Sequence, residues 1–184
     1  GRSRIVSFKN AYHGSTHGAL SVQGSETFRN AFRPLLPDVY MAGFNDPDAV
    51  ALIDNHTACV IVEPIQAEAG VILPSSGFLS LLRQKCSETG ALLIFDEIQT
   101  GFGRTGTMFA FQRYGVVPDI LLLAKALGGG MPLGAFISSH EIMSSLTFSP
   151  PLGHITTFGG HPVCCAAGSV ADRVLKYAPK GQPR

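Results

Sequence analysis

Two apolar runs in this sequence end in opposite charges. Ala91-Leu92-Leu93-Ile94-Phe95 leads into Asp96, and Ile120-Leu121-Leu122-Leu123-Ala124, opened by Asp119, leads into Lys125. Where strands alternate with helices, ligands bind beyond the carboxyl ends of the strands, so both positions are expected to face one crevice. Two chemistries are open to such a pair. One is a structural ion pair between Asp96 and Lys125. The other is nucleophilic: an amine held in an apolar pocket has a lowered pKa and adds as the free base to an aldehyde. Lys125 follows an apolar run and precedes Ala126-Leu127-Gly128-Gly129-Gly130, a poor setting for a solvated surface lysine.

Other motifs carry less. Gly101-Phe102-Gly103-Arg104-Thr105-Gly106 matches the GxGxxG dinucleotide fingerprint, but residues 96–100 separate it from the preceding strand. The acid that should end the next strand, Asp119, instead begins one. A glycine loop shaping a pocket rim is the better reading. His13 and His17, four apart, could imitate a zinc site with Glu63 or Glu68, yet no Cys ligand or His-Glu-x-x-His pattern accompanies them. His154 and His161 read as loop hydrogen-bonding residues, and no GxSxG elbow marks a nucleophilic serine.

The elements that must position Asp96 and Lys125 follow from periodicity. Strands are expected at Arg4 to Phe8, Val39 to Ala42, Cys59 to Glu63, Ala91 to Asp96, Ile120 to Ala124 and Ala135 to Ser138. Asp46-Pro47 opens a helix through Asp54. Gly77 to Glu88 forms another, with Phe78, Leu81, Leu82 and Cys86 on one face and Gly90 closing it. A last helix should run from about Pro162 to Tyr177. Strand and helix in alternation predict an α/β fold, a mostly parallel sheet with helices on both faces, which accounts for continuously apolar strands.

The 184 residues suit one core, with about two as the limit. Charged residues make up 15%, against roughly 25% in typical soluble domains, so a partner chain or missing sequence is expected to cover part of the surface. Gly1 is not an initiator and the tail is polar, so the chain reads as the middle of a longer one. With 14 basic and 13 acidic residues and no basic run, nothing invites nucleic acid. No stretch approaches the roughly 20 apolar residues of a membrane span. Cys59, Cys86, Cys164 and Cys165 lack CxxC spacing and read as free thiols in a reducing compartment.

An aldehyde cofactor that needs both an amine and an acid is pyridoxal 5′-phosphate (PLP), whose ring nitrogen is kept protonated by a carboxylate. Five ordered segments carry a resemblance. They are YHGST at Tyr12 to Thr16, VEPIQAEAGV at Val62 to Val71, LLIFDEIQTGFGRTG at Leu92 to Gly106, PDILLLAKALGGGMPLGA at Pro118 to Ala135, and TTFGGHPVCCAAG at Thr156 to Gly168. Together they resemble the class III PLP-dependent aminotransferases, which include acetylornithine, ornithine and 4-aminobutyrate aminotransferases.

The resemblance implies residues 1–184 as part of the large domain of a fold type I enzyme, with the phosphate-binding loop before Gly1 and a small domain after Arg184. It implies transfer of an amino group from an amino acid or amine to a 2-oxo acid, in a ping-pong reaction in a homodimer with a shared active site. Lys125 would be the Schiff-base lysine and proton carrier, and Asp96 the partner of the ring nitrogen. Gln99 would bond the ring hydroxyl, Ile98 pack on one ring face and Tyr12 on the other, beside His13. Thr157 would reach the phosphate of the neighbouring subunit's cofactor. Thr156 would touch substrate, as would Glu63 and Glu68, the latter pairing with an arginine outside this chain. A cytoplasmic or organellar-matrix location is expected, with no nucleic acid or membrane partner.

Ser15 departs from the arginine common in the acetylornithine, ornithine and 4-aminobutyrate enzymes, which removes a carboxylate contact. Serine there is common in amine-pyruvate relatives, which usually lack the glutamine found here as Gln99. Ala67 replaces a common glycine and His161 a common asparagine. The alternatives are an aminomutase or decarboxylase of the same fold, a non-catalytic fragment, and a nucleotide-binding Rossmann domain.

Overall fold

Six short runs dense in β-branched and large apolar residues line up as one sheet in the computed structural model, which describes residues 1–148, 151 and 154–177. The strands are β1 (Arg4–Phe8), β2 (Val39–Ala42), β3 (Thr57–Val62), β4 (Leu92–Asp96), β5 (Ile120–Leu123) and β6 (Ala135–Ser138). Between and after them lie α1 (His17–Ser21), α2 (Glu26–Arg29), α3 (Phe78–Thr89), α4 (Ala110–Tyr114), α5 (His140–Phe148) and α6 (Pro162–Tyr177). The polar tail, residues 178–184, falls outside the described residues.

The spatial order is β2-β1-β3-β4-β5-β6, with β1 to β5 parallel and β6 antiparallel to β5. The α/β, mostly parallel expectation is met. Residues 124–134, which join β5 to β6, are too few for the dozen or more that a parallel crossover needs, so the chain doubles back. The order reverses direction between β1 and β3, and in such sheets the crevice beyond the strand ends at that point takes the ligand.

Register separates the two faces. Val6, Val60 and Leu93 pair across three strands, and Val62, Phe95 and Leu121 do the same one step on. All six are buried, packed with Phe78, Leu79, Leu82 and Cys86 of α3 in one core. On the other face Ile94 is half-buried, and Asp96 follows it at the strand end.

α3 ends where expected, at Gly90 in the left-handed region with φ 70°, but its buried face uses Leu79 where Leu81 was expected. The helix expected from Asp46 to Asp54 is a shorter 3₁₀ turn, Pro47–Leu52, with the Asp46 side chain accepting from the Asp48 amide. Short connectors of this kind commonly take 3₁₀ geometry. β3 starts two residues before the expected Cys59 and stops at Val62, which releases Glu63 from the sheet.

Candidate active site

Four strand ends deliver the groups that line one cavity: Tyr12, His13 and Gly14 after β1, Glu63, Ala67 and Glu68 after β3, Asp96, Ile98 and Gln99 at and after β4, and Lys125 after β5. Eight of the ten residues named for the site on sequence grounds are therefore together. Thr156 and Thr157 are not among them. They lie exposed on the stretch before α6.

The acid is fixed from two sides. Asp96 is 4% exposed; its Oδ1 accepts from the Ile98 amide at 3.1 Å and its Oδ2 faces His13 Nδ1 at 2.7 Å. Among the described residues no ion pair joins Asp96 to Lys125, so the structural pairing weighed from sequence is not what the fold makes. The other ring nitrogen of His13, Nε2, is buried without a hydrogen-bond partner among the described residues. His17, the second half of the imagined zinc site, turns its Nε2 to the Pro34 carbonyl at 3.0 Å and does not converge with His13.

Lys125 sits differently. β5 stops at Leu123, and the chain turns into a 3₁₀ turn, Lys125–Gly128, with Lys125 at φ 46°. Its Nζ donates to Gln99 Oε1. The flanking apolar residues predict a shielded lysine, but among the described residues Lys125 is exposed, because the turn carries it out of the sheet. A non-glycine residue in the left-handed region is strained, and such strain is found preferentially at functional sites.

Two supporting residues escaped the sequence reading. Glu97 is fully buried, with Oε2 accepting from the Ala110 amide at 2.6 Å and from Thr100 Oγ1 at 3.1 Å, and Oε1 from the Phe111 amide at 2.8 Å. Burial raises its pKa, opposed by those bonds. It thereby ties the loop bearing Ile98 and Gln99 to α4. An acid beside Asp96 in an apolar setting was the available signal. Gly24 is the other. A Cβ there would lie 2.2 Å from the Phe8 carbonyl and 2.4 Å from the Asn10 amide, so only glycine lets residue 24 pass under the turn that leads to Tyr12.

The glycine string at 101–106 shapes this loop. The Gly101 amide donates to the Glu97 carbonyl at 2.9 Å, where a Cβ would come equally close. Asp119, the only acid a dinucleotide site could have used, bonds the Leu93 amide at 2.7 Å and Arg83 at 2.8 Å. It stands at the start of β5, away from the cavity. The thiols of Cys59 and Cys86 are pushed up by burial to about 11 and about 12, and all four cysteines are free. Neither buried thiol is a nucleophile near neutral pH.

Comparison with known proteins adds a family to this geometry. The sequence pattern of aminotransferase class-III proteins matches residues 1–179. Succinylornithine transaminase of Salmonella typhi is 51% identical over 173 residues, a span that covers 93% of this chain and 42% of that protein. Ornithine aminotransferase of Toxoplasma gondii superposes with a TM-score of 0.88 at 38% identity, over 95% of this chain and 41% of that one. A PLP-bound amine transaminase from an uncultivated Pseudomonas species gives 0.86 at 34% identity, over 95% and 46%. The chain spans about two-fifths of the length of the curated relatives it matches.

Proposed function

The chain belongs to the class III aminotransferase family, and from that premise we propose that it is part of the large domain of a PLP enzyme. That enzyme moves an amino group from an amino acid or amine to a 2-oxo acid in two half-reactions. The observation that carries the reading is the division of the cavity: a buried acid held by His13 and the Ile98 amide, and an amine that is not spent on it. A carboxylate has about four lone-pair sites, so Asp96 retains capacity for a ring N–H. The residues present fit the cofactor.

Bound PLP supplies an aldehyde that takes up the amino group and a ring that spreads the negative charge left by proton removal. Asp96 holds the proton at the ring nitrogen. Lys125 would be the amine that holds the cofactor at its aldehyde carbon, with loss of water, and when free would carry a proton between the substrate α-carbon and the C4′ atom. Gln99, bonded to Lys125 here, orients the ring hydroxyl. Ile98 and Tyr12 are the apolar surfaces for the two ring faces, and His13 fixes the acid.

The exposure of Thr156 and Thr157 suits a homodimer in which Thr157 contacts the neighbouring subunit's cofactor phosphate and Thr156 the substrate. Glu68, exposed at the rim, is placed to meet a substrate group. Relatives named for succinylornithine and ornithine put such amines first among the donors, while Ser15 brings no cation for a donor carboxylate. No helix among the described residues is long and apolar enough to cross a membrane, and the free thiols support a reducing, cytoplasmic or matrix compartment.

The test is a half-reaction screen on the full-length protein with PLP. Succinylornithine, acetylornithine, ornithine, 4-aminobutyrate and simple amines are offered singly, and the visible absorption of the bound cofactor is followed. Transfer predicts that a donor bleaches the band and a 2-oxo acid restores it. Release of carbon dioxide, or turnover with no acceptor, would assign a decarboxylase or aminomutase instead.

A further inference from the structure

Glu63 lines the cavity, yet its carboxylate is already engaged by the backbone. Oε1 accepts from the Tyr12 amide at 3.0 Å and Oε2 from the Ala67 amide at 3.1 Å, and the residue is 4% exposed. We infer that Glu63 is a positioning residue: it fastens the loop carrying Tyr12 to the loop carrying Glu68 and takes no substrate group. The inference rests on the reading of the cavity as a cofactor site.

The strand register explains the arrangement. Val62 pairs with Phe95, so the next residues, Glu63 and Asp96, stand side by side at neighbouring strand ends. Each grips one residue of the same dipeptide from the β1 loop. Glu63 takes Tyr12 by its backbone amide, and Asp96 takes His13 by its ring. Tyr12 is 38% exposed and its ring meets Phe28 edge-on at 6.4 Å, so its side chain has little else to hold it and the backbone bond sets where the ring stands. A second tether runs parallel to the first, from Gln66 Nε2 to the Lys9 carbonyl at 3.0 Å. The two loops are thus joined twice, and the wall that would stack on a ring is coupled to the wall that bears Glu68.

A buried carboxylate with one oxygen on an amide N–H of each loop is well suited to joining them. Burial raises its pKa and the two amide bonds oppose that rise. Its charge is compensated by fixed dipoles of the protein itself.

The test uses the full-length holoenzyme with Glu63→Gln, and Glu68→Gln for comparison. Glutamine keeps the shape but accepts at one oxygen only, and turns an N–H₂ toward the second amide. Three readings are taken: the PLP dissociation constant, the visible circular dichroism of the bound cofactor, and kcat and KM for cationic, neutral and anionic donors. For Glu63→Gln we expect PLP affinity to fall about tenfold, the dichroism to change, and KM to shift by one common factor for all donors. A KM increase confined to cationic donors, with affinity and dichroism as in wild type, would make Glu63 a substrate ligand and overturn the inference. An unchanged enzyme would overturn it equally. Amide exchange in the wild-type protein decides the matter even if the variant does not fold. The Tyr12 and Ala67 amides should be protected together, and exchange at free-loop rates would contradict the tether. Failure of the wild type to bind PLP is a separate result and defeats the functional reading itself.

Discussion

Asp96 and Lys125 line one cavity, but the chain holds them by different means. On the acid side, in-register strand ends place Glu63 beside Asp96, and a buried hydrogen bond from His13 and a part-buried one from the Ile98 amide fix the carboxylate. On the amine side, an exposed lysine in a left-handed backbone conformation has, among the described residues, one side-chain partner, Gln99. Preorganisation is concentrated on the acid side. A group that only stabilises charge works best when it does not move. A group that must attach, leave and return with a proton is better on a turn.

Removal of the acid has the largest expected effect. Asp96→Ala should lower kcat/KM of the full-length enzyme by roughly 10²- to 10³-fold, with PLP affinity falling alongside, measured by steady-state kinetics and cofactor titration. Next comes the close approach behind the acid side. Gly24→Ala should cost about 2–3 kcal/mol as an overpacked site with no flexible neighbour, since the Cβ would meet backbone atoms of Phe8, Asn10 and Ala11. Gly18→Ala, with nothing within 4 Å, should be neutral or slightly stabilising. Urea denaturation of the two variants checks both.

Glu97 makes the acid side's stability depend on pH. Its folded pKa is raised by burial above the ordinary 4.5, so the folded state holds that proton more tightly than the unfolded chain. The stability this group contributes is fully present below the ordinary value and is lost as pH rises through its folded one. Glu97→Gln should remove that slope, so that wild type exceeds the variant most at low pH and the gap narrows toward neutrality, as denaturation at several pH values would show. The smallest effect belongs to the amine side. Gln99→Ala should slow turnover about fivefold, the value of one hydrogen bond of about 1 kcal/mol.

Legibility in the sequence followed the same division. β1, β2, β6 and α6 were readable to the residue because apolar periodicity and Gly or Pro punctuation mark them locally. Asp96 and Lys125 were readable because each closes an apolar run. The partners of Asp96 and Glu63 were not: His13 is 83 residues from Asp96 and Tyr12 is 51 from Glu63, and only strand order brings them together. A carboxylate that accepts from backbone amides leaves no side-chain signature at its partners, so the bonds from Glu63 to the Tyr12 and Ala67 amides were not legible. Gly24 has neither a motif nor a left-handed φ, and its need for glycine comes from a backbone crossing. The exposure of Lys125 escaped because the turn at residues 124–125 reverses what the apolar flanks suggest.

The position at which the cofactor attaches distinguishes Lys125 from every other amine of the chain. The full-length protein loaded with PLP is reduced with borohydride, digested and mapped by mass spectrometry. A single stable adduct is expected on the peptide containing Lys125, absent from Lys125→Ala. An adduct of equal yield in that variant, or one on Lys9 or Lys85 instead, would contradict the assignment of Lys125.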